Sequence, residues 1–163
     1  NDRNHCIIGE TDHPFTINCS RDDVRITTHY HADMVASSLY SVVHEGGHAL
    51  YELHTGRELA RSNLGNGVSL GIHESQSRFY ENIIGRSRAF CSVIYPWLKE
   101  HFAPRLDNVT EDDFYRMINK SEPSLIRTEA DELTYCLHIM VRYELEKRMF
   151  DGTLTAHDLP ADP

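Results

Sequence analysis

The period of the apolar positions changes along the chain, and each change marks an element. Near the start the pattern is extended. Phe15–Cys19 forms one candidate strand and Val24–Thr28 another, with Val24, Ile26 and Thr28 alternating against Arg25, Thr27 and His29, as a half-buried strand requires. The second of these, if it lay at an edge, would offer an extended peptide a line of backbone partners. From Asp33 to His54 the period is helical: Val35, Leu39, Val42, Leu50 and Leu53 recur on one stripe, and Gly56 follows as a stop. A loop with Gly65, Asn66 and Gly67 then leads into a second helix, expected from Ser69 to Phe90, with Ile72, Phe79 and Ile83 on its back face. Pro96 and Pro104 punctuate the stretch after that helix. Thr110 with Asp113 reads as a capping box opening a short helix through Phe114, Met117 and Ile118. A last helix, expected from Glu129 to Phe150, sets Leu133, Leu137, Val141 and Leu145 on one stripe before Gly152 ends it, and the tail to Pro163 has no core of its own. The fold class is therefore mainly α, with a small β-sheet near the N-terminus.

Composition narrows the function classes. At 163 residues and 18.8 kDa the chain is long enough for one ordinary core. Its 16 Lys and Arg stand against 25 Asp and Glu, a net charge of −9 with no basic block, so nucleic acid and anionic membranes are poor partners. No uncharged run approaches the ~18 residues of a membrane span, and the chain reads as soluble. Cys6, Cys19, Cys91 and Cys136 are scattered with no C-x-x-C pair, which points to a reducing, cytoplasmic compartment. The chain opens at Asn1 with neither Met nor a signal-peptide pattern, as a piece of a longer protein would. Eleven histidines are the compositional hint of chemistry, since imidazole both ligates metals and carries protons.

That hint has a location. Within the first long helix stands His44-Glu45-Gly46-Gly47-His48, an H-E-x-x-H of the zincin type. Residues four apart on a helix lie ~40° apart around the axis and ~6 Å along it, so both imidazoles reach one ion. Glu45, ~100° round from His44, stands beside such an ion as a general base for its water. With His44 at zero on the wheel, His48, Ser37 and Ser41 fall within ~60°, while Val35, Leu39, Val42 and Leu53 cluster near ~180°. An ordinary solvated face would show the same pattern.

A third protein ligand is needed. His54 follows His48 by six residues, but Tyr51 occupies the position where a chain-reversing glycine would be required. On an unbroken helix His54 lies ~15 Å from His44 along the axis and ~80° off its direction. Glu74, in His73-Glu74-Ser75-Gln76-Ser77, is better placed: Glu74, Arg78 and Glu81 share the face opposite Ile72, Phe79 and Ile83, as two helices packed around one ion would require.

Five ordered motifs carry a family resemblance. They are His13-Pro14-Phe15; Asp23-Val24-Arg25-Ile26-Thr27, similar to D-x-R-x-T; the H-E-x-x-H at His44; His73-Glu74-Ser75-Gln76; and Ile126-Arg127-Thr128-Glu129-Ala130-Asp131, similar to I-R-x-x-A-D. Together they resemble the M32, or carboxypeptidase Taq, family of zinc metallopeptidases. The resemblance implies a gluzincin-like helical enzyme that removes single residues from peptide C-termini. It implies zinc on His44, His48 and Glu74, Glu45 as general base, Arg127 on the substrate's C-terminal carboxylate, and a homodimer in the full-length protein. Full-length members extend beyond these motifs at both ends, so the chain is expected to be one fragment of a larger catalytic domain, with residues 1–30 as its sheet region and 31–163 as its helical metal-binding core.

Other readings stand beside this one. A gluzincin endopeptidase would share the three ligands without a carboxylate clamp, and a non-enzymatic fragment would bind metal without hydrolysis. Cobalt or manganese would accept the same donors as zinc. A structural ion pair with Glu129 or Asp131 is the alternative role for Arg127, and pairing with Asp22 or Asp23 is the alternative for Arg25.

Overall fold

The computed structural model describes residues 5–161. They are mainly helical, with one small sheet, as the periodicity requires. Three strands build the sheet: β1 (Cys6–Glu10), β2 (Thr16–Ser20) and β3 (Asp23–Thr28), in the order β1-β3-β2. β3 runs parallel to β1, in a register from Cys6 opposite Val24 to Glu10 opposite Thr28, and antiparallel to β2. Its alternation is borne out, with Val24, Ile26 and Thr28 all fully or nearly fully buried. Its expected place at an edge is not: β3 is the central strand, and both of its backbone edges are already paired. β1 escapes sequence reading because only Cys6 of its five residues is buried, while Ile7 and Ile8 are both exposed and leave no alternation to follow.

Helix α1 (Val35–Leu53) packs against the sheet, where Ala49 meets Cys6, Val24 and Ile26, with Val42 and Leu53 closing the cluster. The expected apolar stripe is only partly sunk. Val35 and Leu50 reach the surface, and the deepest positions on α1 are Tyr40, Glu45, Gly47, Ala49 and Glu52. Two acids thus occupy the buried face of a helix, a placement that hydrophobic burial alone does not produce.

The second expected helix is really two. Helix α2 (Leu70–Arg78) starts at Ser69, whose hydroxyl accepts from the Ile72 N–H at 3.2 Å, and runs directly into a π-helical segment, Phe79–Ile84. The chain turns through Gly85 and Arg86, and Ser87 then caps helix α3 (Arg88–His101). Pro96 lies inside α3 rather than ending it. Its missing N–H costs one ladder bond, while Cys91, Tyr95 and Leu98 hold the helix in a core with Tyr40 and with Phe114 and Ile118 of α4 (Glu111–Ile118). The Thr110–Asp113 capping box forms in both directions, with Asp113 N–H to Thr110 Oγ1 at 3.1 Å and Thr110 N–H to Asp113 Oδ2 at 3.0 Å. Ile72, Phe79 and Ile83, the expected back face of the second helix, are exposed at 46%, 46% and 60%.

The chain divides into two compact units, Asn1–Ile118 and Asn119–Pro163. The sheet and α1 to α4 form the first. In the second, Asp131 caps helix α5 (Glu132–Phe150), accepting from the N–H groups of Leu133 and Thr134, so the helix starts three residues later than its periodicity suggested. Gly152 ends it at φ 80° and Leu154 folds back into a buried position. All four cysteines are free thiols. No described helix is long and apolar enough to cross a membrane.

Candidate metal centre

His44 and His48 project from consecutive turns of α1 toward α2, and Glu74 of α2 reaches back between them. Glu74 Oε2 lies 3.5 Å from His44 Nε2 and 3.4 Å from His48 Nε2. These separations test whether a metal fits. In a tetrahedral site with bonds of ~2.0–2.1 Å, neighbouring ligand atoms stand ~3.3–3.4 Å apart, so both histidine-to-carboxylate edges are already near the length such an ion needs. The three donors all lie within 4.8 Å of one another. They are the imidazole nitrogens and carboxylate oxygen that divalent zinc accepts.

The second nitrogen of each imidazole is engaged, as ligating histidines require. His44 Nδ1 lies 2.8 Å from Glu81 Oε2, and His48 Nδ1 lies 2.6 Å from His73 Nδ1. Glu81 belongs to the π-helical segment, whose wider turn carries this carboxylate back onto α1. Arg78 bonds both acids, from Nε to Glu74 Oε1 at 3.1 Å and from Nη1 to Glu81 Oε2 at 3.2 Å, and Arg86 adds a contact to Glu81 at 3.6 Å.

Charge follows from this packing. Burial opposes ionisation of both Glu74 and Glu81, but His44, with His48 and Arg78 at Glu74 and Arg78 and Arg86 at Glu81, outweighs it and holds both carboxyls below their usual range. Burial likewise opposes the charged form of His44, yet Glu74 and Glu81 overcome it and push this imidazole up to about 9. At neutral pH His44 therefore holds a proton that an ion would displace. Its pairing with the two carboxylates stabilises the fold below the ordinary histidine pKa and is lost as pH rises through about 9. Zinc binding at pH 7 is expected to release about one proton from the centre, and apparent affinity to rise about tenfold per unit between pH 7 and 9. Calorimetry in buffers of different ionisation enthalpy measures this, and a binding heat independent of buffer would contradict it.

Glu45, next to His44 in the chain, is 8% exposed. Thr16 of β2 donates its hydroxyl to Glu45 Oε2 at 2.5 Å and also contacts the Glu45 carbonyl at 3.2 Å, so the sheet orients this carboxylate. Thr16 carries no motif and was not legible in the sequence. Glu52 also escaped, although it stands four residues after His48 on the face that His44 and His48 share. That i, i+4, i+8 spacing was a usable signal.

His54, Arg25 and Arg127 are not among the three converging donors. His54 caps the C-terminal end of α1 and turns its Nδ1 to the Leu50 carbonyl at 2.7 Å, so it is not part of the cluster. Arg25 makes a two-pronged pair with Asp23, 3.0 Å from Nε to Oδ1 and 2.8 Å from Nη2 to Oδ2. Arg127 lies in the second unit, within a short 3-10 turn, and donates from Nη1 to the Tyr135 hydroxyl at 2.8 Å. Of the two ion-pair partners weighed for it, Asp131 is instead occupied by the α5 cap and by Ser121, Glu122 and Thr134, and the side chain of Glu129 lies outside those described.

Comparison with known proteins relates the chain to metallopeptidases. The profile of the carboxypeptidase Taq (M32) metallopeptidases matches residues 1–162. The chain is 50% identical over 148 residues to thermostable carboxypeptidase 1 of Pyrococcus furiosus, covering 91% of this chain and 30% of that protein. It is 46% identical over 154 residues to carboxypeptidase 1 of Bacillus subtilis, covering 94% and 31%. Among solved structures, a carboxypeptidase of Pyrococcus furiosus superposes with a TM-score of 0.95 at 46% identity, covering 99% of this chain and 32% of that one. An M32 carboxypeptidase from Deinococcus radiodurans R1 gives 0.93 at 46% identity, covering 97% and 32%. The chain thus spans about 30% of the length of the curated relatives it matches.

Proposed function

Because the chain belongs to the carboxypeptidase Taq (M32) family of metallopeptidases, we propose that it supplies the metal centre of a zinc-dependent carboxypeptidase that removes single residues from peptide C-termini. The observation that carries this reading is the convergence of His44, His48 and Glu74, with a buried, sheet-braced Glu45 beside them. His44, His48 and Glu74 would hold the ion. When bound, such an ion polarises the scissile carbonyl and lowers the pKa of a water to about 7. Glu45 takes the proton from the attacking water and returns it to the leaving amine. Thr16 keeps one Glu45 oxygen occupied, which orients the carboxylate for that exchange.

Arg127 is proposed to recognise the substrate's C-terminal carboxylate. A guanidinium stays charged at all working pH and meets a carboxylate bidentately. The bond to the Tyr135 hydroxyl fixes its position. Four free thiols suit a cytoplasmic protein, and a homodimer is carried over from the family.

The test uses the zinc-loaded protein with one unstructured peptide prepared as free acid and as C-terminal amide, its products followed by mass spectrometry. Stepwise loss of single C-terminal residues from the free acid alone is expected. Internal cuts in both forms would instead establish an endopeptidase, and bound zinc without cleavage would favour a metal-binding fragment. Arg127→Ala is expected to raise KM for the free acid by about 10–100-fold, the loss of one charged hydrogen bond, whereas an endopeptidase would be indifferent to it.

A further inference from the structure

The two histidines of the centre are supported differently, and the difference carries chemistry. His44 leans on a carboxylate directly, through Glu81. His48 leans on a second imidazole, and that imidazole leans on a buried acid: His73 Nε2 lies 2.6 Å from Glu52 Oε1. A histidine that holds an ion at Nε2 keeps its proton on Nδ1, so with His48 as a ligand its Nδ1 is the donor to His73 Nδ1. His73 then carries its proton on Nε2 and donates it to Glu52. His48 Nε2, on the side of Glu74, is left with the lone pair that a metal ligand needs.

The surroundings are built to hold this chain. Glu52 is 5% exposed, and its other oxygen accepts from the Asn18 amide of β2. The Tyr51 ring stands edge-on to His73 at 5.0 Å, and its hydroxyl accepts from the Val68 N–H at 3.3 Å. Gly67, beside that anchor, leaves the room His73 uses: a Cβ there would fall 2.6 Å from His73 Cδ2. Five groups from β2, α1 and the loop before α2 thus serve the orientation of one imidazole that is not itself in the ligand triad.

We propose that His73 and Glu52 are positioning residues that lock His48 in the tautomer with Nε2 free for the ion. This rests on the reading of His48 as a ligand. Removing such an outer partner typically costs a metal site 10–100-fold in affinity. The experiment measures zinc affinity of the whole chain by competition with a chromophoric chelator, together with nitrogen NMR of the zinc-loaded, 15N-labelled protein.

His73→Phe, which removes both the acceptor and the donor, is expected to weaken zinc by about 10–100-fold. His73→Gln presents an amide oxygen and an N–H in their place and is expected to recover most of that loss. The wild-type protein should show a scalar coupling across the hydrogen bond between the two Nδ1 atoms, a signal that only an N–H···N bond produces. An affinity within twofold of wild type in folded His73→Phe, or the absence of that coupling, would overturn the proposal. Because the coupling is read on the wild type, it decides the question even if His73→Phe fails to fold. His48→Ala separates the two levels: unchanged zinc affinity in that variant would remove the ligand assignment itself, whereas a large loss there beside an unaffected His73→Phe would remove the positioning role alone.

Discussion

Glu45→Gln is expected to keep zinc bound within about threefold of wild-type affinity and to lose about 10²–10⁴-fold in turnover, the usual share of a general base. Both halves follow from the placement of this side chain. Glu45 is not among the three converging donors, so the first half asks only that the helix stay in place. Gln preserves the size of the side chain, and its carbonyl still accepts from the Thr16 hydroxyl that braces Glu45 at 2.5 Å. A neutral amide is also cheaper to bury than a carboxylate in a position only 8% exposed, so the melting temperature should hold or rise. What Gln cannot do is accept a proton from water near neutral pH. Chelator competition gives the affinity, and cleavage of the free-acid peptide gives kcat. Turnover near the wild-type rate would remove Glu45 from the proton-transfer role, and lost zinc would mean that the carboxylate supports the ligands instead.

The parts of this architecture that were legible in the sequence are those governed by one local rule. The β3 alternation, the Thr110 capping box and the long helix α1 each depend on neighbours within a few residues; the first two stand as read, and α1 stands as one helix shortened from Asp33–His54 to Val35–Leu53. The His44–His48 pairing and the shared face of Glu74 and Arg78 were legible too, because helical spacing sets residues four apart on one side. What was not legible depends on partners far along the chain. β1 has no alternation of its own and exists through its register with β3. Thr16 matters only because the sheet lies against Glu45. The break at Gly85 and the π-helical segment before it are invisible to a pattern that assumes a constant period, yet that segment is what delivers Glu81 to His44. Burial of Glu45 and Glu52 runs against the apolar stripe of their helix. Such breaches of local consistency gather where a site is being built.

The two glycines inside the H-E-x-x-H motif sharpen this last point, because sequence treats them alike and the structure does not. A Cβ on Gly46 would meet nothing within 4 Å. A Cβ on Gly47 would fall 2.7 Å from Ser77 Cα, 2.9 Å from the Gln76 carbonyl oxygen and 3.2 Å from Ser77 N, all backbone of α2. Gly47 is therefore where the two helices touch, and Ser77 lies one turn beyond Glu74. Gly47→Ala would have to push α2 away by several tenths of an ångström, and Glu74 would withdraw from edges that now measure 3.5 and 3.4 Å to His44 and His48. Overpacking of this kind costs about 1–3 kcal/mol, only partly offset by the ~1 kcal/mol that alanine gains over glycine in a helix. Zinc affinity should fall with it by about 10–100-fold, as when a ligand loses its support. Gly46→Ala should show the helix gain alone, a rise in stability of up to ~1 kcal/mol with zinc affinity unchanged. Thermal melts and chelator titration of the two variants side by side make the comparison. If both glycines tolerated alanine equally, close approach at Gly47 could not be what sets Glu74 against the two histidines.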